Sequence, residues 1–196
     1  MDDRAALEDL QYIRKVIEDS KRALVYNGID YIVWGILVII GLTATYVLVA
    51  SRIYFNYFWI WLALVAAGWM FSLFSSKKSK ASQPRTFSDK IIGSVWLSSG
   101  ITMSILGFIG PVTRAVNPVF ISPLLSVVLG TAYFVTGNIF ESRWFTYLSF
   151  GWWAGAIVMF FFPGIHSLII MALMMLLFQT IPGIILYKIY KQKMAV

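Results

Sequence analysis

Apolar residues gather in six long runs separated by short polar stretches. The runs cover residues 31–50, 57–74, 91–110, 119–140, 144–162 and 165–187, and none contains Asp, Glu, Lys or Arg. Crossing about 30 Å of hydrocarbon takes roughly 20 helical residues. Membrane β-strands are about half that length and alternate apolar with polar positions. The pattern therefore predicts an all-α integral membrane protein with six transmembrane helices.

Short connections arrange these helices as three antiparallel hairpins. The turns within hairpins are read at residues 51–56, at the loop holding Pro111 and Pro118, and at Phe162-Pro163-Gly164. Residues 75–89 are rich in Ser and Lys and read as a flexible connection, on which the first hairpin can move against the other two. Glu141-Ser142-Arg143 is so short that the fourth and fifth helices must be neighbours.

Charge orients this arrangement. Fourteen of the sixteen Lys and Arg residues fall on one side: five before the first span, five between the second and third, Arg143, and Lys188, Lys191 and Lys193 in the tail. Arg52 and Arg114 lie on the other side. Positive residues are retained in the cytoplasm, so both termini are expected there. The chain then divides into a cytoplasmic amphipathic helix over 1–29, a bundle over 30–188 and a basic cytoplasmic tail over 189–196.

Composition agrees: 59% of residues are hydrophobic, 13% are charged and the mean hydropathy is +0.77, far from the roughly half-apolar make-up of soluble domains. The net charge of +7 is accounted for by topology and by anionic lipid headgroups, so no nucleic-acid role is read from it. With no cysteine in the chain, disulfides, thiolate metal sites and thioether-linked haem are excluded. A cleaved leader is not expected, because the first 30 residues are acidic on balance and the first apolar run is too long. Short outer loops without a glycosylation sequon fit a bacterial inner membrane.

Ahead of the membrane, Ala6, Leu10, Ile13, Ile17, Ser20 and Leu24 are spaced four, three, four, three and four, a heptad-like stripe. A helix lying on anionic lipid carries a basic polar face, whereas six acidic residues here outnumber five basic ones up to Leu24. The stripe of Leu10, Ile13, Ile17 and Leu24 is therefore read as a contact for a protein partner or for a second copy.

Candidate chemistry is sparse. There is no phosphate-binding loop, nucleophile elbow or zinc-protease motif, and no catalytic residue, metal ligand set or cofactor is predicted. His166, the only histidine, stands at the rim of the last hairpin and cannot assemble a metal shell alone. Asp30, Asp89 and Glu141 each precede an entry into the membrane. They are read as negative charges near helix N-termini, with a ring of carboxylates at a pore mouth as the alternative.

Neutral polar side chains recur within the spans, where most hydrogen-bond neighbouring helices. Gln179-Thr180-Ile181-Pro182 combines such groups with a helix breaker that frees a backbone carbonyl. A ligand site, if the protein has one, is placed there: Gln179 and Pro182, facing Ser99, Thr102 and Asn138 of the third and fourth spans. Small residues mark helix-packing seams. Gly93, Gly100 and Gly107 recur every seven residues, Gly130 and Gly137 likewise, and Gly151 and Gly155 are four apart.

Six of the eight tryptophans, Trp34, Trp59, Trp61, Trp69, Trp96 and Trp144, fall near span ends, where interfacial anchoring explains them. Trp152 and Trp153 sit mid-membrane. Adjacent helical residues point about 100° apart, so one ring is expected over the glycine seam of the fourth span. The other turns to lipid or to an interior cavity, and both are candidate pocket residues. Two functions remain open: a non-enzymatic interaction or regulatory subunit working through its N-terminal helix, and a transport or ligand-binding component for a neutral or lipid-like molecule.

Overall fold

The computed structural model describes residues 28–53, 55–82 and 87–194. The amphipathic segment with Leu10, Ile13, Ile17 and Leu24 lies outside the described residues. Among the described residues the fold is all-helical, with six helices long and apolar enough to cross a membrane. They are α1 (Gly28–Ala50), α2 (Tyr57–Ser82), α3 (Phe87–Ser104), α4 (Ile121–Ile139), α5 (Arg143–Phe161) and α6 (His166–Met174). Helix α3 continues through Ile105–Ile109 and Gly110–Val112, and α6 through Met175–Thr180 and Ile181–Met194. Six such helices suggest a multi-pass membrane protein.

The two continuations share one cause. Ile105–Ile109 and Met175–Thr180 are π-helical, and each lies just before a proline, Pro111 and Pro182. Proline lacks an N–H and its ring crowds the preceding turn; widening that turn relieves the crowding without ending the helix. The Gly110 N–H reaches back five residues to the Ile105 carbonyl, and the Ile181 N–H to Leu176. The Thr180 hydroxyl donates to the Met175 carbonyl at 3.1 Å, so the kink anticipated at Pro182 takes the form of a π segment with its own side-chain bond.

Helix ends differ from the expectation at one connection. Residues 75–89 do not form a loop throughout: α2 runs on to Ser82 and α3 starts at Phe87. Lys and Ala sustain a helix in water after the apolar run ends. Elsewhere local chemistry sets the boundaries. Asn117 accepts from the Val119 N–H at the 3₁₀ turn Pro118–Phe120 before α4, and Asn56 accepts from Phe58 at the start of α2. Between α4 and α5, Ser142 N–H bonds Gly137 O at 2.8 Å and Glu141 N–H bonds Asn138 O at 3.2 Å. This is a Schellman closure, and Glu141 occupies its left-handed position at φ 51°.

Packing is unequal. Helices α4 and α5 lie side by side along their length, and α1 packs along all three parts of α6. Helix α2 rests on α1, and α3 rests on α4. Within their apolar windows only 6% of α2 and of α3 is buried, against 44% of α4 and 39% of α6. The core thus lies among α1, α4, α5 and α6, with α2 and α3 on its flank. Its buried positions keep helical spacing; on α5 they are Phe145, Ser149, Trp152, Ala156 and Met159.

Candidate functional site

The interior is organised around Tyr133 of α4, which is fully buried. Its ring stacks on Phe145 of α5 at 5.2 Å and meets Trp96 of α3 at 5.5 Å, Tyr31 of α1 at 5.9 Å and Trp152 of α5 at 6.0 Å. Trp152 in turn meets Phe178 of α6 edge-on at 5.9 Å. Five of the six spans therefore place a ring in one cluster, at separations where aromatic pairs attract. The cluster joins these helices through their own side chains.

Polar atoms pass through this apolar mass. The Tyr133 hydroxyl donates to Gln179 Oε1 at 2.6 Å, tying α4 to α6. The Ser126 hydroxyl donates to the Trp152 carbonyl at 2.7 Å, tying α4 to α5. Ser149 and Ser167 bond carbonyls of their own neighbourhood. Against this background, Trp152 Nε1, Thr136 Oγ1, Trp96 Nε1 and Asp30 Oδ1 are buried without a hydrogen-bond partner among the described residues.

The candidate pocket residues separate. Trp152, Gln179 and Pro182 are buried in the core, whereas Thr102 and Asn138 are exposed and Ser99 is half-buried. Asn138 spends its amide on the Phe134 carbonyl of its own helix at 2.8 Å. Trp153 is half-buried and lies over Gly130, with its indole N–H on the Val127 carbonyl at 3.3 Å. One indole of the pair thus covers the glycine of α4 while the other enters the interior.

The glycines also separate. A Cβ at Gly100 would meet Trp69, at Gly137 Thr146, at Gly151 Phe178 and at Gly155 Met174. At Gly93 and Gly107 a Cβ would meet no described atom within 4 Å. Besides Gly137, whose Cβ would stand 2.6 Å from Thr146 N, a close backbone approach lies at the α1–α6 crossing, where a Cβ on Gly28 would stand 2.7 Å from Tyr187 N and one on Gly183 would stand 3.0 Å from Gly28 O. Sequence reasoning left this α1–α6 crossing out, because its two glycines belong to the first and last spans and share no local spacing.

Two tryptophans read as interfacial anchors also hold the α1–α2 seam. Trp34 Nε1 donates to Ser72 at 2.9 Å, and Trp61 Nε1 donates to Thr45 at 3.2 Å. His166 is exposed at the start of α6. Among the described residues no three His, Cys, Asp or Glu side chains converge. At the α4–α5 turn, Asn138, Glu141, Ser142, Arg143 and Thr146 border an open depression of roughly 390 Å³. Comparison with protein-family models, curated proteins and solved structures finds no match.

Proposed function

We propose that this chain is a non-enzymatic interaction or regulatory subunit of a cell membrane, with both termini in the cytoplasm. It engages a protein partner, or a second copy of itself, through the stripe of Leu10, Ile13, Ile17 and Leu24. The observation that supports this reading is the interior ring cluster, in which rings from α1, α3, α4, α5 and α6 touch one another. A protein closed in this way works from its surfaces and its segments outside the bilayer. Deleting residues 1–25 is expected to abolish co-purification of the partner, or to lower the oligomeric state, while the bundle stays folded. An unchanged set of bound proteins and an unchanged oligomeric state would refute the reading.

A second reading draws on a different observation. Trp152 and Thr136 are fully buried and carry polar atoms without partners, and an unsatisfied buried group costs about 1–3 kcal/mol. A small neutral or lipid-like molecule that hydrogen-bonds there would remove that cost. Such a ligand would co-purify and raise the melting temperature by mass action.

A further inference from the structure

The open depression at the α4–α5 turn, roughly 390 Å³ in volume, holds opposite charges: Glu141 and Arg143 both line it, together with Asn138, Ser142, Thr146 and Tyr147. Small-molecule sites occupy about 300–1,000 Å³, so its size suits a small polar group. Helices α4 and α5 close beside it because Gly137 carries no side chain; a Cβ there would stand 2.6 Å from Thr146 N. Two exposed rings mark its depth. Trp144 and Tyr147, 38% and 70% exposed, are residue types that settle where lipid headgroups meet hydrocarbon, which puts the depression at headgroup level.

An aromatic path leads from it along the outer surface of the same helix pair. Thr146, Phe150 and Trp153 follow one another at four and three residues and share a face of α5, as Phe134 and Asn138, four apart, share a face of α4. The three rings form one patch: Phe134 meets Phe150 at 6.4 Å and Trp153 at 5.6 Å, and Phe150 meets Trp153 at 5.7 Å. Phe134 and Phe150 are exposed and Trp153 is half-buried. At about 1.5 Å per helical residue, Phe150 and Trp153 lie about 10 Å and about 15 Å beyond Arg143, which matches the roughly 15 Å of hydrocarbon in one leaflet.

The charge pair selects the head of a ligand and the ring patch selects its tail. A purely anionic headgroup would meet Arg143 but has no cation to offer the Glu141 carboxylate in the same depression. A choline head carries a cation without N–H donors, whereas a primary ammonium brings three, and hydrogen bonds to ionised partners are the strong ones. We propose that the α4–α5 turn binds an amine-bearing zwitterionic phospholipid, with its phosphate on Arg143, its ammonium on Glu141 and one acyl chain over Phe134, Phe150 and Trp153. This site is separate from the N-terminal stripe and from Trp152 and Thr136, and it stands whether or not either functional reading holds.

Native mass spectrometry of the purified full chain in mixed micelles tests it, with phosphatidylethanolamine, phosphatidylcholine and phosphatidylglycerol of identical acyl chains supplied in equal amounts. One phosphatidylethanolamine per chain is expected to be retained over the other two by about tenfold. Glu141→Gln is expected to abolish the preference over phosphatidylcholine, and Arg143→Gln to weaken both zwitterionic lipids. Soluble glycerophosphoethanolamine, which has the head without the chains, is expected not to displace the lipid at equal concentration. Equal retention of the three lipids by the unaltered protein, or a preference for phosphatidylglycerol, overturns the site. A preference that survives in folded Glu141→Gln overturns the pairing of carboxylate with ammonium, and unchanged retention in folded Arg143→Gln overturns the phosphate contact. Displacement by the soluble head overturns the acyl path. Because the unaltered protein is decisive alone, failure of a variant to fold leaves the test intact.

Discussion

The crossing of α1 and α6 makes the sharpest stability prediction. A Cβ added at Gly183 would stand 2.9 Å from both Tyr31 Cβ and Ile32 Cγ1, and 3.0 Å from the Gly28 carbonyl oxygen. Carbon atoms rest at about 3.5–4.0 Å, so α1 and α6 must part by roughly 0.6–1 Å. Two of the obstructing atoms are a Cβ and a backbone oxygen, which cannot rotate away. Overpacking of this kind costs about 1–3 kcal/mol, beyond the roughly 0.5–1 kcal/mol that alanine gains over glycine in a helix. Gly183→Ala is therefore expected to destabilise the bundle. Gly93→Ala, on open helix surface, is expected to leave stability unchanged or raise it by up to about 1 kcal/mol. Unfolding in mixed detergent micelles, followed by tryptophan fluorescence, reads both. Equal stability of the two variants would refute the close crossing of α1 and α6.

Three further outcomes follow from particular contacts. A double-mutant cycle between Tyr133→Phe and Gln179→Leu is expected to give a coupling of about 0.6–1.7 kcal/mol, the range for hydrogen bonds within membranes; a coupling near zero would dismiss the 2.6 Å bond. Glu141→Gly is expected to stabilise by about 1 kcal/mol, because the side chain holds a left-handed φ of 51° that glycine adopts freely; a loss on thermal unfolding would mean that the carboxylate makes a favourable contact. Thr136→Val keeps the shape while removing an unpartnered hydroxyl, so stability is expected to hold or rise; a loss of more than about 1 kcal/mol would indicate a bound water or ligand at that hydroxyl.

The six helices were legible because hydrocarbon imposes one demand on every spanning residue, and a run without charge satisfies it visibly. The side-by-side pairing of α4 and α5 was legible because a three-residue link leaves no other place. Which face of a helix meets which neighbour was not. Gly93, Gly100 and Gly107 share a seven-residue spacing, yet among the described residues a Cβ would meet another helix at Gly100 alone, at Trp69. Spacing within one helix reports a shared face and says nothing of what covers it. The crossing of Gly28 with Gly183 depends on the first span closing against the last, a pairing that no local signal carries. The interfacial rule likewise covered Trp34 and Trp61 without revealing their bonds to Ser72 and Thr45, since depth in the membrane and contact between helices are separate constraints.

The candidate pocket came apart for the same reason. Trp152, Gln179 and Pro182 are buried in the interior, while Thr102 and Asn138 are exposed. Hydroxyls and amides within a span look alike in sequence whether they face a neighbour or lipid, because bonds to the same helix satisfy them, as the Phe134 carbonyl satisfies Asn138. The Trp152-Trp153 pair was more informative. Their divergence of about 100° is realised as one ring over Gly130 and one among Tyr133 and Phe178.

Whether water reaches the interior ring cluster bears most on the proposed function, and the absence of cysteine makes it directly measurable. Single cysteines at Ser126 and Thr136, both fully buried, can be compared in native membranes with cysteines at the loop positions Asn56 and Arg114, both exposed. The probe is a charged methanethiosulfonate reagent small enough to enter an aqueous pathway. A sealed core predicts rapid labelling at 56 and 114 and none at 126 and 136. Labelling at 136 at a rate near that of the loops would contradict the account, because water would then reach the centre of the bundle.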